Sequence, residues 1–104
     1  MLWLLACVTQ PDPCLAMCEA GAALYGDCLA EWGADWTAAG YADEDDFLDA
    51  CDTWAFEWRQ IEAVDGHEGQ TDATCVARAE QFSASTATCD DFTSTDWNSA
   101  PWLD

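Results

Sequence analysis

The sequence predicts an all-α fold, a small disulfide-stapled three-helix bundle with an irregular aromatic C-terminal tail. Apolar residues recur at alternating steps of four and three along several segments, which is the spacing of one helix face. The 104 residues include seven cysteines, a density typical of small secreted domains that disulfides stabilise. Hydrophobic residues make up 51% of the chain and include seven tryptophans, so the chain has enough apolar area to fold as one domain.

The first helix is expected to begin at Pro13, because Asp12 is a favoured N-cap residue and proline is favoured at the first helical position. It is expected to end at Gly33, since glycine adopts the left-handed conformation that follows many helices. Its apolar stripe consists of Cys14, Cys18, Ala22, Tyr25, Cys28, Leu29 and Trp32.

A second helix is expected to begin near Asp43, after a connection formed by residues 34–42. Five apolar residues follow at steps of four, three, four and three, the clearest amphipathic pattern in the chain. They are Phe47, Cys51, Trp54, Trp58 and Ile61. This pattern predicts close packing of one helix against another.

A third helix follows a break at residues 64–72, where Thr71 or Asp72 is the expected cap. The same steps recur in Cys75, Ala79, Phe82, Thr86 and Cys89. The helix is expected to reach Ser83, because the residues after it are poor helix formers. From Asp90 an aromatic tail is expected to pack its rings onto the bundle, and these rings belong to Phe92, Trp97 and Trp102.

Every cysteine after Cys7 lies on an apolar stripe or at its end, which predicts disulfides between neighbouring helices. In an up-down-up bundle with turns near residues 39 and 67, the cysteines that lie level with one another are the expected partners. The expected pairs are Cys28 with Cys51, Cys18 with Cys75, and Cys14 with Cys89. Six cysteines allow fifteen pairings, so this choice depends on the assumed register of the helices.

The charge of the chain is strongly one-sided. Aspartate and glutamate total 21 against two arginines, Arg59 and Arg78, which gives a formal net charge of -19. Such a charge repels polyanions and argues against nucleic acid as a partner. An aspartate-rich surface without lysine is typical of proteins from salty environments, where ions screen the repulsion. A GC-rich genome, whose codons favour alanine, glycine and aspartate, is the alternative origin of this composition.

The segment Leu4-Leu5-Ala6-Cys7 resembles the lipobox of bacterial lipoproteins, in which a leucine stands three residues before a cysteine and a small residue directly precedes it. The resemblance implies that Cys7 is lipidated and becomes the new N-terminus. A lipid on Cys7 also leaves six cysteines, an even number, for disulfides. The apolar segment is too short to cross a bilayer, which takes about 20 residues, and it lacks the basic start of a signal peptide.

The resemblance divides the chain into a short or truncated signal segment at residues 1–6, the lipidated cysteine with its linker at residues 7–12, and a single cysteine-rich helical domain at residues 13–104. It implies attachment to the membrane through the N-terminal lipid, on the extracytoplasmic side of the cell envelope. Val8 follows Cys7, which in bacteria with two membranes resembles lipoproteins passed on to the outer membrane. A secreted domain without lipid and an intracellular domain are the alternatives.

Acidic residues at the start of the second helix offer oxygen ligands to Ca²⁺, which takes six to eight of them. The candidate ligands are Asp43, Asp45, Asp46 and Asp49. The same carboxylates would otherwise cap the helix and complement its dipole. No regular D-x-D-x-D-G calcium loop is present in the sequence.

His67 lies among Asp65, Glu68 and Asp72 in a glycine-containing stretch, where it offers half of a metal site or is simply solvated. The cysteine spacings lack the C-x₂-C pairs of zinc fingers. Because His67 is the single histidine, no base is placed beside a serine or cysteine nucleophile. We therefore expect no enzyme and no cofactor.

Two pairs of tryptophans four residues apart, Trp32 with Trp36 and Trp54 with Trp58, would form a stacking platform for a sugar or a peptide if they are exposed, and otherwise belong to the core. Trp36 and Trp102 lie off the apolar stripes and are the best candidates for a surface role. The expected function is a lipid-anchored lipoprotein that acts as a structural or binding module for an envelope protein or surface ligand. The alternative is an acidic Ca²⁺-binding protein of the cell envelope.

Overall fold

Three long helices form the bundle, as the sequence predicts. The computed structural model describes residues 12–95, apart from the side chain of Glu68. In chain order the helices are α1 (Pro13–Glu31), α2 (Trp36–Ala39), α3 (Glu44–Val64), α4 (Glu68–Ser83) and α5 (Cys89–Thr93). The two short helices, α2 and α5, were not predicted. No helix in the described part of the chain has the length and apolar character needed to cross a membrane.

The predicted ends of α1 are confirmed. Asp12 is the N-cap, and its Oδ1 accepts a hydrogen bond from the backbone N–H of Cys14 at 2.9 Å. At the other end Gly33 has a φ of 72°, in the left-handed region where glycine carries no steric penalty. Backbone hydrogen bonds from Gly33 to Ala30 and from Ala34 to Leu29 complete a Schellman motif.

The connection between α1 and α3 folds back along α1 instead of turning at its end. Asp35 caps α2, and the following Gly40 adopts a φ of 101°. Trp36 then packs against Gly26, where an added Cβ would lie 3.3 Å from the indole ring. The same added Cβ would lie 3.8 Å from Oε1 of Glu44, the first residue of α3. As a result α3 begins alongside Gly26, more than a turn before the end of α1.

The start of α3 near Asp43 is confirmed, but the predicted start of α4 is wrong. Asp43 caps α3 by accepting a hydrogen bond from the backbone N–H of Asp46 at 2.8 Å. The helix that was expected to begin at Thr71 or Asp72 begins instead at Glu68, with His67 as its N-cap residue. Gly66 has a φ of 79° and reverses the chain within three residues. A short turn therefore connects α3 to α4, and the longer loop predicted at residues 64–72 is absent from this part of the chain.

The hydrophobic core surrounds α1, and its inner face is close to the predicted stripe. The buried cluster comprises Cys14, Met17, Cys18, Ala22, Phe47, Ala55, Cys75, Phe82 and Phe92. In the first two predicted stripes two residues are exposed, Trp32 at 51% and Ile61 at 60%. Trp32 follows the end of α1, and the inner face of α3 passes through Ala55 and Glu62, which turns Ile61 toward solvent.

The predicted end of α4 at Ser83 is confirmed, and the tail after it begins with α5. Thr88 and Asp91 form a capping box, in which each side chain accepts a hydrogen bond from the other residue's backbone N–H. Phe92 is buried against the bundle, as expected of the aromatic tail, whereas Thr86 is exposed and lies outside α4. Trp97 and Trp102 lie outside the described residues.

All six cysteines between residues 12 and 95 form disulfides, as predicted, but the predicted partners are wrong. Each disulfide has one cysteine on α1, and the pairs are Cys14–Cys75, Cys18–Cys51 and Cys28–Cys89. The Cα atoms of the pairs are 4.8, 5.8 and 5.8 Å apart, which are ordinary values. The three disulfides therefore join α1 separately to α4, α3 and α5.

The expected pairs, Cys28–Cys51, Cys18–Cys75 and Cys14–Cys89, are wrong because they assumed turns near residues 39 and 67 and a tail that returns to the start of α1. The folded-back connection places Cys51 beside Cys18. The chain after α4 continues in the direction of α1, so Cys89 lies beside Cys28. Cys14–Cys75 and Cys28–Cys89 have the same sequence separation, 61 residues, as expected of two segments that run parallel.

Candidate functional site

Cys7, the cysteine of the lipobox-like segment, lies outside the described residues. The six cysteines that the structure does describe are bonded to one another. The sequence predicts that the six cysteines after Cys7 form disulfides, and the three disulfides of residues 12–95 agree with this prediction. Lipidation of Cys7 stays a prediction.

An open groove of about 560 Å³ lies where the last turns of α1 meet α3 and α5. Its volume is in the range of small-molecule sites, which are about 300 to 1,000 Å³. Aromatic side chains supply most of its surface. The lining residues are Tyr25, Trp32, Tyr41, Phe47, Ala50, Cys51, Trp54, Phe92 and Thr93. This groove was not predicted from the sequence, because its walls come from separate parts of the chain.

Ring contacts hold the floor of the groove in place. Tyr25 stacks on Phe92 with ring centroids 4.7 Å apart, and Tyr41 meets the edge of Phe47 at 5.2 Å. Phe47 and Phe92 are buried, with 8% and 9% of their surface exposed. The rings of Tyr25 and Tyr41 are only partly buried and remain accessible from the groove. Contacts of this kind fix the orientation of the rings before any ligand arrives.

The four candidate tryptophans of residues 12–95 are divided between the groove and its surroundings. Trp32 and Trp54 line the groove, and Trp54 stacks on Trp58 with centroids 5.0 Å apart. Trp36, expected to have a surface role, is instead half-buried and packs on Phe47 at 5.3 Å. Trp32 and Trp36 therefore do not form a stacking platform together, because Trp32 lines the groove and Trp36 packs against the core. Trp102 lies outside the described residues.

The acidic run at the start of α3 is exposed and takes part in capping. Asp43 accepts the hydrogen bond that caps α3, and Asp46 Oδ2 accepts one from the backbone N–H of Ala42 at 2.9 Å. Asp45 and Asp49 are exposed on the same part of the helix. In the described residues the grouping of three potential metal ligands lies elsewhere, at the opposite end of α3.

That grouping consists of Glu62, Asp65 and His67, whose ligand atoms all lie within 4.8 Å of one another. The His67 ring and the Glu62 carboxylate are hydrogen-bonded, with Nδ1 and Oε2 3.1 Å apart. The backbone N–H of His67 also donates to the carbonyl of Glu62 at 2.8 Å, which fixes the turn around Gly66. The Glu62 side chain is only 9% exposed.

His67 and Asp65 lie together, as predicted from the sequence, whereas Glu62 was not predicted and Asp72 belongs to a different group. Asp72 faces Arg59 on α3, with Oδ1 and Nη2 3.1 Å apart. The signal for Glu62 was available, since it lies four residues after Trp58 on the apolar side of the second helix. A carboxylate in such a position is rarely buried without a partner.

Comparison of the chain with protein-family models, curated proteins and solved structures finds no match. The aromatic groove and the Glu62–Asp65–His67 turn are therefore the two features from which a function is inferred.

Proposed function

We propose that the chain is an extracytoplasmic bacterial lipoprotein, anchored through a lipid on Cys7, whose helical domain binds a ligand in the aromatic groove. The observation that carries the binding function is the groove itself. Its volume of about 560 Å³ and its partly exposed rings suit a small ligand with an apolar body.

Three features support the extracytoplasmic location and the lipid. Three disulfides in a domain of this size favour an oxidising compartment. The lipobox-like segment ends at Cys7. The net charge of -19 repels anionic headgroups, so a covalent lipid is a more effective anchor for this domain than electrostatic attraction.

The anchor is tested by expressing the chain in a bacterial host and separating it between detergent and aqueous phases. We expect the wild type in the detergent phase, with acyl groups on Cys7 by mass spectrometry. Cys7→Ala should move the protein to the aqueous phase, whereas Val8→Ala, which leaves the lipobox intact, should not. Equal partition of the wild type and Cys7→Ala would remove the anchor from the proposal.

The groove is tested in an NMR titration with 3,3-dimethyl-1-butanol, a small uncharged alcohol that is called dimethylbutanol below. We expect saturable shifts of the indole signals of Trp32 and Trp54. Trp32→Ala should weaken the binding, and this substitution should leave the fold intact because the ring is half exposed. Phe56→Ala is the control, because it removes an exposed ring of α3 that does not line the groove. This substitution should not change the titration. Groove signals that do not respond would remove the groove as the ligand site.

A second candidate function is binding of a divalent cation at the Glu62–Asp65–His67 turn. Two ligands that each lie about 2.1 Å from one ion are themselves about 3.0 to 3.4 Å apart at ordinary coordination angles. The 3.1 Å between His67 Nδ1 and Glu62 Oε2 fits this spacing. An imidazole nitrogen beside two carboxylates favours Zn²⁺ or Mn²⁺ over Ca²⁺, which prefers oxygen ligands alone.

Calorimetry with Zn²⁺ and with Ca²⁺ tests this second function. Zn²⁺ should bind at one site that is lost in His67→Gln, and binding should weaken at low pH because protons compete with the metal for its ligands. The double variant Asp45→Asn, Asp49→Asn is the matched control, since it changes the acidic run and leaves the turn intact. Zn²⁺ binding that falls only in the control variant would transfer the site to the start of α3.

A further inference from the structure

The walls of the groove consist mostly of aromatic side chains and contain no charged residue. Its lining contains two tyrosines, two tryptophans and two phenylalanines, and the other lining residues are alanine, cysteine and threonine. The face of an aromatic ring carries negative electrostatic potential. The lining therefore attracts a cation without forming an ion pair with it.

Neither arginine lines the groove. Arg59 follows the groove residue Trp54 by five residues on α3, and its terminal nitrogens contact Asp12 and Asp72. Arg78 is 7% exposed, in the buried face of α4. Neither arginine is among the groove-lining residues, so neither places a positive charge in its walls.

An exposed acidic residue directly precedes a groove residue at the end of α1 and on α3. Glu31 is exposed and directly precedes the groove residue Trp32, and Asp49 is exposed and directly precedes Ala50. The net charge of -19 adds a negative potential over the whole surface. Such a field concentrates cations near an apolar cleft and keeps anions away from it.

We infer that the groove binds a small organic cation of the quaternary ammonium type, an inference that rests on the groove being the ligand site of the proposed function. A quaternary ammonium group is apolar at its surface and carries a diffuse charge, so it can leave water and lie against aromatic rings. A primary ammonium is a compact and strongly hydrated charge, which is less suited to this lining. Ca²⁺ and Mg²⁺ require oxygen ligands, which the lining supplies only through hydroxyl groups and the backbone.

The test compares choline with dimethylbutanol, its uncharged isostere, in which a tert-butyl group replaces the trimethylammonium group. Both ligands are titrated into the full-length protein at 0.15 M salt, where exposed charges are screened beyond about 8 Å. We expect choline to bind about five- to thirty-fold more tightly than dimethylbutanol, the gain expected of cation–π contacts. Indole signals from Trp32 and Trp54 should follow both titrations.

Three variants separate the cation–π contribution from other effects. Trp32→Leu keeps an apolar side chain but removes an aromatic face, so choline should lose most of its advantage while dimethylbutanol binding changes little. Phe56→Ala should leave both affinities unchanged. Glu31→Gln removes one acidic charge next to the groove residue Trp32 and should weaken the binding of choline alone by about two-fold, as expected of one partly screened charge.

Equal affinities for choline and dimethylbutanol would overturn the inference and leave the groove as an apolar ligand site. A groove that responds to neither ligand would overturn both the inference and the proposed ligand site. Choline binding that occurs only after Trp97→Ala and Trp102→Ala would assign the groove to the end of the chain itself, which also overturns the inference.

Discussion

Arg59 Nη1 lies 2.8 Å from Oδ1 of Asp12, the same oxygen that caps α1. Its other terminal nitrogen lies 3.1 Å from Asp72 on α4. One of the two arginines thus joins α3 to both neighbouring helices, in a chain with 21 acidic residues. The remaining acidic residues repel Asp12 and Asp72, and Arg59 offsets part of this repulsion between the helices.

Replacing Arg59 by methionine, which keeps most of the apolar stem, is expected to destabilise the fold. A partly exposed ion-pair network of this kind contributes about 1 kcal/mol, and such a loss lowers Tm by about 4 to 8 °C in a domain of this size. Thermal unfolding followed by circular dichroism measures the change. Gln60→Met, at the exposed neighbouring position, is the control. If Asp72→Asn costs as much in Arg59→Met as in the wild type, the two residues are not coupled.

Salt is expected to stabilise the protein in spite of these ion pairs. Raising the salt concentration from 0.1 M to 1 M shortens the Debye length from about 10 Å to about 3 Å. The screening weakens the contacts of Arg59, but it also weakens repulsion throughout a chain of net charge -19, and the repulsion involves far more charges. Tm should therefore rise with NaCl. The rise should be smaller in Asp45→Asn, Asp49→Asn, and a Tm that falls with NaCl would contradict the prediction.

The disulfide pairs can be mapped with a protease that cuts after glutamate. Glu19 and Glu31 bracket Cys28, and Glu80 is the last glutamate before Cys89. From the unreduced protein we expect residues 20–31 to be released joined to residues 81–104. Mass spectrometry before and after reduction identifies the pair. Recovery of residues 20–31 joined to the peptide that contains Cys51 would contradict the fold-back of the connection.

The ends of α1 and the start of α3 could be predicted because the residues that determine them are local. Asp12 and Asp43 cap the helices that follow them, and Gly33 ends α1 in the conformation that glycine favours. The disulfide partners depend instead on the path of the chain between helices. That path is set by Trp36, which packs on Gly26. Neither residue belongs to the apolar stripes that predict helix packing, so the sequence pattern does not indicate this contact.

One sequence signal for the correct pairs was available. Cys14 and Cys28 are separated by the same number of residues as Cys75 and Cys89, which is the spacing expected when two parallel segments are joined twice. The groove left no comparable signal. Its tyrosine and tryptophan residues are unremarkable in their own helices, and only the tertiary arrangement brings them together.

The capping box of α5 predicts a specific pH dependence. The backbone N–H of Thr88 donates a hydrogen bond to Asp91 at 2.8 Å, and this bond lowers the pKa of Asp91 below its ordinary value of 3.8, with smaller contributions from the side chains of Gln81 and Thr88. Because the folded state favours the carboxylate, the stabilisation is present above pH 3.8 and is lost as the pH falls through the lowered pKa.

Asp91→Asn tests this pH dependence. The variant should be less stable than the wild type near neutral pH, and the difference should shrink below pH 3.8, where the wild type loses its charged cap. Urea unfolding over this pH range gives the difference directly. Asp90→Asn makes the same charge change one residue away and should show no such convergence. A difference between Asp91→Asn and the wild type that stays constant down to the lowest pH would rule out the charged cap.

Gly21 is expected to tolerate no branched side chain. An added Cβ would lie 3.2 Å from the ring of Phe92 and 3.6 Å from that of Phe82. Gly21→Val should therefore displace these rings and cost about 1 to 3 kcal/mol. Gly69→Ala is the contrasting change, because nothing lies within 4 Å of the added Cβ in α4, and it should raise stability by about 0.5 kcal/mol. Both effects are measured as shifts of the urea midpoint.

Because α1 holds one cysteine of every disulfide, a single nick anywhere between Cys14 and Cys89 leaves the molecule in one covalent piece. Even when the backbone is opened on both sides of Cys51, the excised part of α3 stays attached through Cys18. In an oxidising compartment, such a chain keeps the walls of the aromatic groove together after damage that would divide an ordinary bundle. Separation of the pieces then requires reduction of a disulfide, and not only the loss of a single peptide bond.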